Sequence, residues 1–287
     1  MPYIETRDQE NTKLYYKEWG KGNSRPVILI HGWPLNADSW DPITNALADD
    51  GCRVIAYDRR GFGRSDQPCG GYDYDRLADD LRAVMEQTNA TKNAAIIGFS
   101  MGGGEVARYM SRHGGKGVTQ AALIASVVPH IVKSEKNPDG VPEKTLKEIA
   151  QTIEKDRAKF FQSFLKDFYG VSLMKEPVSE EFLHHSWNMC MMAGLRPTLE
   201  CAKAWGFTDF TADLAAFNVP TLIIHGTKDK TVPIDATAKV AAKGIANAKL
   251  IEYDGAPHGL FETGRERLIG DLKAFLKSGA GAARHAA

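Results

Sequence analysis

Ala94-Ala95-Ile96-Ile97-Gly98-Phe99-Ser100-Met101-Gly102-Gly103-Gly104 passes from an unbroken apolar run, through a G-x-S-x-G string, into residues with helical spacing. In a chain with 27 glycines the string alone says little, but its position says more. A serine raised on a sharp strand-to-helix turn is exposed at the end of a sheet strand, where it can act as a nucleophile. The flanking glycines remove side chains that would collide with backbone at such a bend. A plainer reading is a glycine-rich turn that packs helix on strand, or a phosphate site at a helix N-terminus. Partners for Ser100 elsewhere in the chain decide between the two.

Outward from this stretch the same rhythm repeats. Tyr3 to Thr6 and Lys13 to Trp19 read as a hairpin closed by the polar Asp8-Gln9-Glu10-Asn11 turn. Apolar runs follow at Pro26 to Ile30, Cys52 to Tyr57, Ala94 to Phe99, Ala121 to Val128, Pro220 to His225 and Ala248 to Tyr253. Continuous apolar runs of this length suit strands buried on both faces of a parallel sheet. Helical stretches lie between most of them: Tyr74 to Gln87, Gly103 to His113, Ala236 to Ala246 and Arg265 to Lys277. The chain is thus expected to form an α/β, eight-stranded, mostly parallel, doubly wound sheet. From Pro129 to Asn218 no buried strand is seen and the pattern is helical. That segment (129–218) is expected to cap the C-terminal edge of a core made of 1–128 and 219–278, where open α/β folds bind ligands. The Gly/Ala-rich end, 279–287, is expected to be a flexible tail.

The 287 residues carry 36 Lys+Arg against 36 Asp+Glu, a formal net charge of zero, which argues against nucleic acid or an anionic membrane as partner. No apolar run is long enough for a membrane helix, and Met1 to Glu10 has no apolar signal core, so a cytoplasmic location is expected. Cys52, Cys69, Cys190 and Cys201 show no C-x-x-C pair or metal-finger spacing and read as reduced thiols. His184-His185, beside Glu180 and Glu181, read as a solvated helical face, and no metal is expected.

A serine hydroxyl needs a base to take its proton, and the base needs an orienting group. Asp229, in His225-Gly226-Thr227-Lys228-Asp229, follows one strand, and His258, in Ala256-Pro257-His258-Gly259, follows the next. Both lie just past strand C-termini, so Ser100, Asp229 and His258 can meet there. Asp235, which falls in the next helix, and Asp254, at a strand end, are weaker candidates for the acid. The tetrahedral intermediate also needs backbone N–H donors for its oxyanion. Met101, next after the serine, supplies one. The second is assigned to Trp33 in His31-Gly32-Trp33-Pro34, where Pro34 restricts the residue before it. Phe160, Phe161, Phe164, Phe168, Trp187, Met189 and Met191 make the cap aromatic and methionine-rich. Pro34, Phe99, Phe160 and Trp187 are taken as substrate-binding residues, and for the cap residues packing against the sheet is the plainer role.

These stretches resemble the α/β-hydrolase superfamily and, within it, the cofactor-free bacterial haloperoxidases or perhydrolases and the related aryl esterases. The resemblance is carried by His31-Gly32-Trp33-Pro34, Asp58-Arg59-Arg60-Gly61-Phe62-Gly63-Arg64-Ser65, Gly71-Tyr72-Asp73-Tyr74-Asp75, Gly98 to Tyr109, Val219 to Pro233 and Gly255 to Gly259. It extends through Met191-Met192-Ala193-Gly194 and Asp209-Phe210-Thr211 in the cap. It implies the α/β-hydrolase fold, a Ser100, His258, Asp229 triad with Trp33 and Met101 as oxyanion donors, and hydrolysis of small carboxylic esters. It also implies that hydrogen peroxide can replace water, giving a peracid that oxidises halide without haem, vanadium or flavin. Proline after the oxyanion tryptophan goes with perhydrolase character in the family. Thr227-Lys228 before Asp229 departs from the acidic or small residues common there. A lyase of the same fold, or a small-ligand receptor retaining the triad, is the rival reading. Self-association into a homo-oligomer is left open.

Overall fold

The computed structural model describes residues 2–22 and 24–284. Eight strands form one sheet: β1 (Tyr3–Glu5), β2 (Lys13–Trp19), β3 (Pro26–Ile30), β4 (Arg53–Tyr57), β5 (Ala94–Phe99), β6 (Val118–Ile124), β7 (Thr221–Gly226) and β8 (Ala248–Tyr253). Their order is β1-β2-β4-β3-β5-β6-β7-β8. The two strands of the hairpin are antiparallel, as is the β2–β4 pair, and every pair from β4 to β8 is parallel. Every residue of β3, β4, β5 and β7 is buried, as unbroken apolar runs require.

Nine α-helices are described: α1 (Asp41–Asp49), α2 (Tyr74–Gln87), α3 (Met101–Arg112), α4 (Glu143–Tyr169), α5 (Glu180–Met192), α6 (Leu195–Phe207), α7 (Ala238–Gly244), the single turn α8 (Leu260–Thr263) and α9 (Arg265–Arg284). Helix α1 packs with α9; α2 and α3 pack together, and a 3₁₀ segment (Thr211–Ala216) bridges α3 and α7. Two such groups are what a doubly wound sheet needs to cover both faces. Helix α2 starts where Asp73 accepts the Arg76 N–H, a side-chain cap that satisfies one free donor of the first turn.

Between β6 and β7 the chain holds α4, α5, α6 and the 3₁₀ segment, with only isolated bridges of β type. Helix α4 breaks at Asp156, whose side chain accepts the Lys159 N–H, and ends at Gly170 with φ +72°. A left-handed residue of this kind closes the last turn, and glycine takes it without a Cβ clash. A Cβ at Gly170 would also stand 3.0 Å from Pro257, next to His258.

Several strand and helix ends shift by one to three residues from those read in the sequence, and three elements change by more. Strand β6 ends at Ile124 although its apolar run continues to Val128: Ala125 has φ +44°, and Ser126 to Val128 turn beneath Ser100, buried but outside the sheet. Helix α7 covers only Ala238–Gly244 of the stretch Ala236 to Ala246. Helix α9 continues past Lys277, so the backbone of 279–284 is helical, in keeping with its alanines, and 285–287 lie outside the described residues. All four cysteines are free thiols; Cys69 is exposed and the others are buried. No described helix is long and apolar enough to cross a membrane.

Candidate active site

Strand β5 delivers Ser100 onto its turn. Ser100 has φ +53° and ψ −117°, a left-handed conformation that non-glycine residues rarely adopt and that costs of order 1–3 kcal/mol. The bend is tight: a Cβ at Gly98 would lie 2.3 Å from the Gly102 carbonyl oxygen, and one at Gly102 would lie 2.5 Å from that of Ile30. Ser100 N–H donates to Ile124 O at 2.8 Å, tying the turn to the end of β6.

His258 stands between the other two groups. Its Nε2 is 2.9 Å from Ser100 Oγ and its Nδ1 is 2.6 Å from Asp229 Oδ2. All three residues are buried. Burial opposes ionisation of Asp229, but the His258 and His225 imidazoles beside it outweigh burial and hold its carboxyl well below the usual carboxylate range. An ionised Asp229 only accepts, so His258 donates from Nδ1 and presents a bare Nε2 to the serine hydroxyl. Asp229 is itself fixed: Oδ1 accepts the N–H groups of Thr231 and Val232 at 2.9 and 2.8 Å. The ring of His258 packs on Phe168 of α4 and on Phe99, at centroid distances of 4.8 and 5.1 Å.

Trp33 lies on the loop after β3 and Met101 is the first residue of α3, on either side of Ser100, and among the described residues neither backbone N–H has a hydrogen-bond partner. The two segments are pressed together, since a Cβ on Gly32 would meet the Phe99 ring at 2.5 Å and Ser100 Cβ at 3.1 Å. The Trp33 indole N–H donates to Thr198 O at 3.0 Å, and its ring packs on Phe161, Phe164 and Trp205. The Trp33–Pro34 peptide is cis. Such an arrangement can deprotonate Ser100 toward an acyl carbon and offer two N–H groups to the oxygen that becomes negative.

The expected pocket residues divide. Phe160 stacks on Phe164 at 5.6 Å, one ring away from Trp33. Phe99 lies under His258 and against Phe261, supporting the imidazole rather than facing outward. Trp187 is not brought to Ser100: its N–H donates to Ala158 O at 2.9 Å, and its ring lines an outer groove of about 900 Å³ between α4 and α5 with Lys159, Lys166 and His184. The reason is helical phase, because Ser186, Met189 and Cys190 take the inward face of α5. The rival acids are engaged elsewhere, Asp235 with Lys239 and Asp254 with Thr227. Among the described residues, His, Cys, Asp and Glu nowhere gather in threes that could hold a metal ion.

His225 went unassigned in the sequence. It donates from Nε2 to Val232 O at 2.8 Å and lies 3.2 Å from Asp229 Oδ2, making it the second imidazole against that carboxylate. Its place four residues before Asp229, at the end of β7, was the available signal.

The chain matches the alpha/beta hydrolase fold family over residues 25–265. A protein of Streptomyces lividans named non-heme chloroperoxidase is 43% identical over 270 residues, 94% of this chain and 98% of that one. The bifunctional esterase/perhydrolase DCH of Acinetobacter calcoaceticus is 39% identical over 279 residues, 97% of this chain and 100% of that one. Among solved structures, a bromoperoxidase from Bacillus anthracis superposes with a TM-score of 0.91 at 40% identity, covering 96% of this chain and 100% of that one. The chain therefore belongs to the α/β-hydrolase fold family and is an enzyme of its branch of non-haem haloperoxidases, perhydrolases and esterases.

Proposed function

We propose that the protein is a serine hydrolase of small carboxylic esters, aryl or short-chain, that also forms peracids when hydrogen peroxide replaces water. One observation carries this reading: His258 bridges Ser100 Oγ and Asp229 Oδ2, at 2.9 and 2.6 Å, beside the Trp33 and Met101 N–H groups, which have no partner among the described residues. Ser100 Oγ attacks the ester carbonyl while its proton passes to His258 Nε2. The carbonyl oxygen becomes negative against the N–H groups of Trp33 and Met101. His258 returns the proton to the leaving alcohol, and an acyl-Ser100 ester remains. Water or hydrogen peroxide then adds to the acyl carbon, giving its proton to His258, and the breakdown regenerates Ser100 with release of acid or peracid. The peracid, with a halide ion and a proton, yields the carboxylic acid and a hypohalous acid in solution. The names of the relatives, which join chloroperoxidase with esterase and perhydrolase, support this pairing of activities.

In this reading residues 129–218 are the cap over a core of 1–128 and 219–278. Pro34 restricts Trp33 to extended conformations, so that the Trp33 carbonyl can accept a hydrogen bond from the attacking peroxide. The test measures p-nitrophenyl acetate hydrolysis and acetate-dependent peracid formation on one sample. Both should be present in the wild type and fall by at least about a thousandfold in Ser100→Ala. Pro34→Leu should lower the ratio of perhydrolysis to hydrolysis while leaving hydrolysis. Turnover of no small ester would sink the hydrolase reading, and an unchanged ratio in Pro34→Leu would sink the role given to Pro34.

A further inference from the structure

Arg59 and Glu105 are buried charges that the proposed chemistry does not use. Both are buried, and they form an ion pair in which Arg59 Nε donates to Glu105 Oε1 while Tyr57 O–H donates to Oε2 at 2.6 Å. Burial pushes the Glu105 carboxyl up, against the pull of the Arg59 guanidinium and the Tyr57 hydroxyl. Taking two ions out of water costs several kcal/mol each, and apolar side chains of the same volume often hold a fold as well or better. What apolar side chains cannot do is hold a backbone carbonyl.

The guanidinium does that. Arg59 Nη2 donates to His31 O at 2.6 Å, and the Arg59 backbone N–H donates to His31 Nε2 at 2.9 Å. A ring nitrogen that accepts an N–H carries no proton, so a neutral His31 bears its proton on Nδ1. Burial first, and the Arg59 cation with it, keep His31 neutral by driving its pKa well below the ordinary value. Nδ1–H then donates to Gly32 O at 2.9 Å. The Gly32 carbonyl and the Trp33 N–H belong to one planar peptide unit, so fixing the first aims the second. Glu105, at the other end, stands one turn inside α3, whose first residue is Met101.

We propose that the Arg59–Glu105 pair, acting through His31, is a positioning device that sets the Trp33 N–H against the Met101 N–H, so that both donors converge on one oxyanion. The proposal rests on the reading of Ser100, Trp33 and Met101 given above. The guanidinium suits the task because its planar fork reaches a carboxylate and a carbonyl at once, which an ammonium cannot do in the same geometry.

The test replaces the whole buried set with apolar groups, Tyr57→Phe with Arg59→Met and Glu105→Leu, so that no charge is left unpaired. Melting temperature, kcat and KM for p-nitrophenyl acetate, and affinity for phenylboronic acid are measured, the boronate because its tetrahedral serine adduct places an oxygen between the two donors. The triple variant should stay folded, with kcat lower by about 10²–10³, the range for losing one oxyanion donor, and KM within about threefold. Boronate affinity should fall with kcat. A folded triple variant with wild-type kcat and boronate affinity would overturn the proposal. If the triple variant does not fold, Arg59→Lys, which leaves Glu105 paired, decides: a kcat loss at unchanged KM supports it and an unchanged kcat overturns it. Wild-type protein that neither hydrolyses the ester nor binds the boronate would instead remove the hydrolase reading beneath it.

Discussion

Asp229 is fully buried, yet its carboxyl titrates below the usual range because burial is outweighed by the His258 and His225 imidazoles against it. A carboxyl whose folded pKa lies below its unfolded value, about 3.9, stabilises the fold fully above that value. The stabilisation is lost as pH falls through the folded value. Wild type should therefore be more stable than Asp229→Asn near neutrality, and the gap between their melting temperatures should close on acidification below about pH 4. Thermal unfolding of both proteins across that range checks it, and a constant gap would mean that Asp229 contributes no such linkage. That Ser100, His258 and Asp229 meet was legible in the sequence because each follows an apolar run and chain order limits the choices. The pairings of Arg59 with Glu105 and with His31 were not legible, since they span 46 and 28 residues, whereas His225, four residues before Asp229, carried a local signal that went unread.

At the level of elements, the junction of β5, α3 and β3 is set by backbone contact. Gly102 is helical, so it needs no special φ, but a Cβ there would stand 2.5 Å from Ile30 O and 3.0 Å from His31 O. Backbone cannot step aside as a flexible side chain can. Gly102→Ala should destabilise by about 2 kcal/mol or more, lowering the melting temperature by several degrees, whereas Gly70→Ala, where a Cβ meets nothing within 4 Å, should be nearly neutral. Equal melting temperatures for the two variants would contradict the contact. The same junction explains which element boundaries the sequence conceals. The apolar run that contains β6 extends to Val128 because Ser126 to Val128 are buried beneath Ser100, and burial outside a sheet leaves the same mark on a sequence as a buried strand. Trp187 shows a related limit: its aromatic character was evident, but a rotation of one residue on α5 decides whether a side chain meets Tyr169, as Ser186 does, or lines the outer groove.

For the molecule as a whole, the balance of 36 basic and 36 acidic residues leaves no strong net field to steer a charged substrate. A neutral ester needs no such steering. The sheet brings Ser100, Asp229 and His258 together from the ends of β5, β7 and β8, and α4 sets Phe168 on the His258 ring and Phe161 and Phe164 on the Trp33 ring. The central claim is that the reaction passes through an acyl group on Ser100. Mass analysis of acid-quenched, proteolysed protein during p-nitrophenyl acetate turnover tests it most directly. The account predicts a mass gain of one acetyl group on the peptide that carries Ser100, appearing before steady state and absent from His258→Ala; turnover without that acetyl group, or its appearance on another residue only, would contradict it.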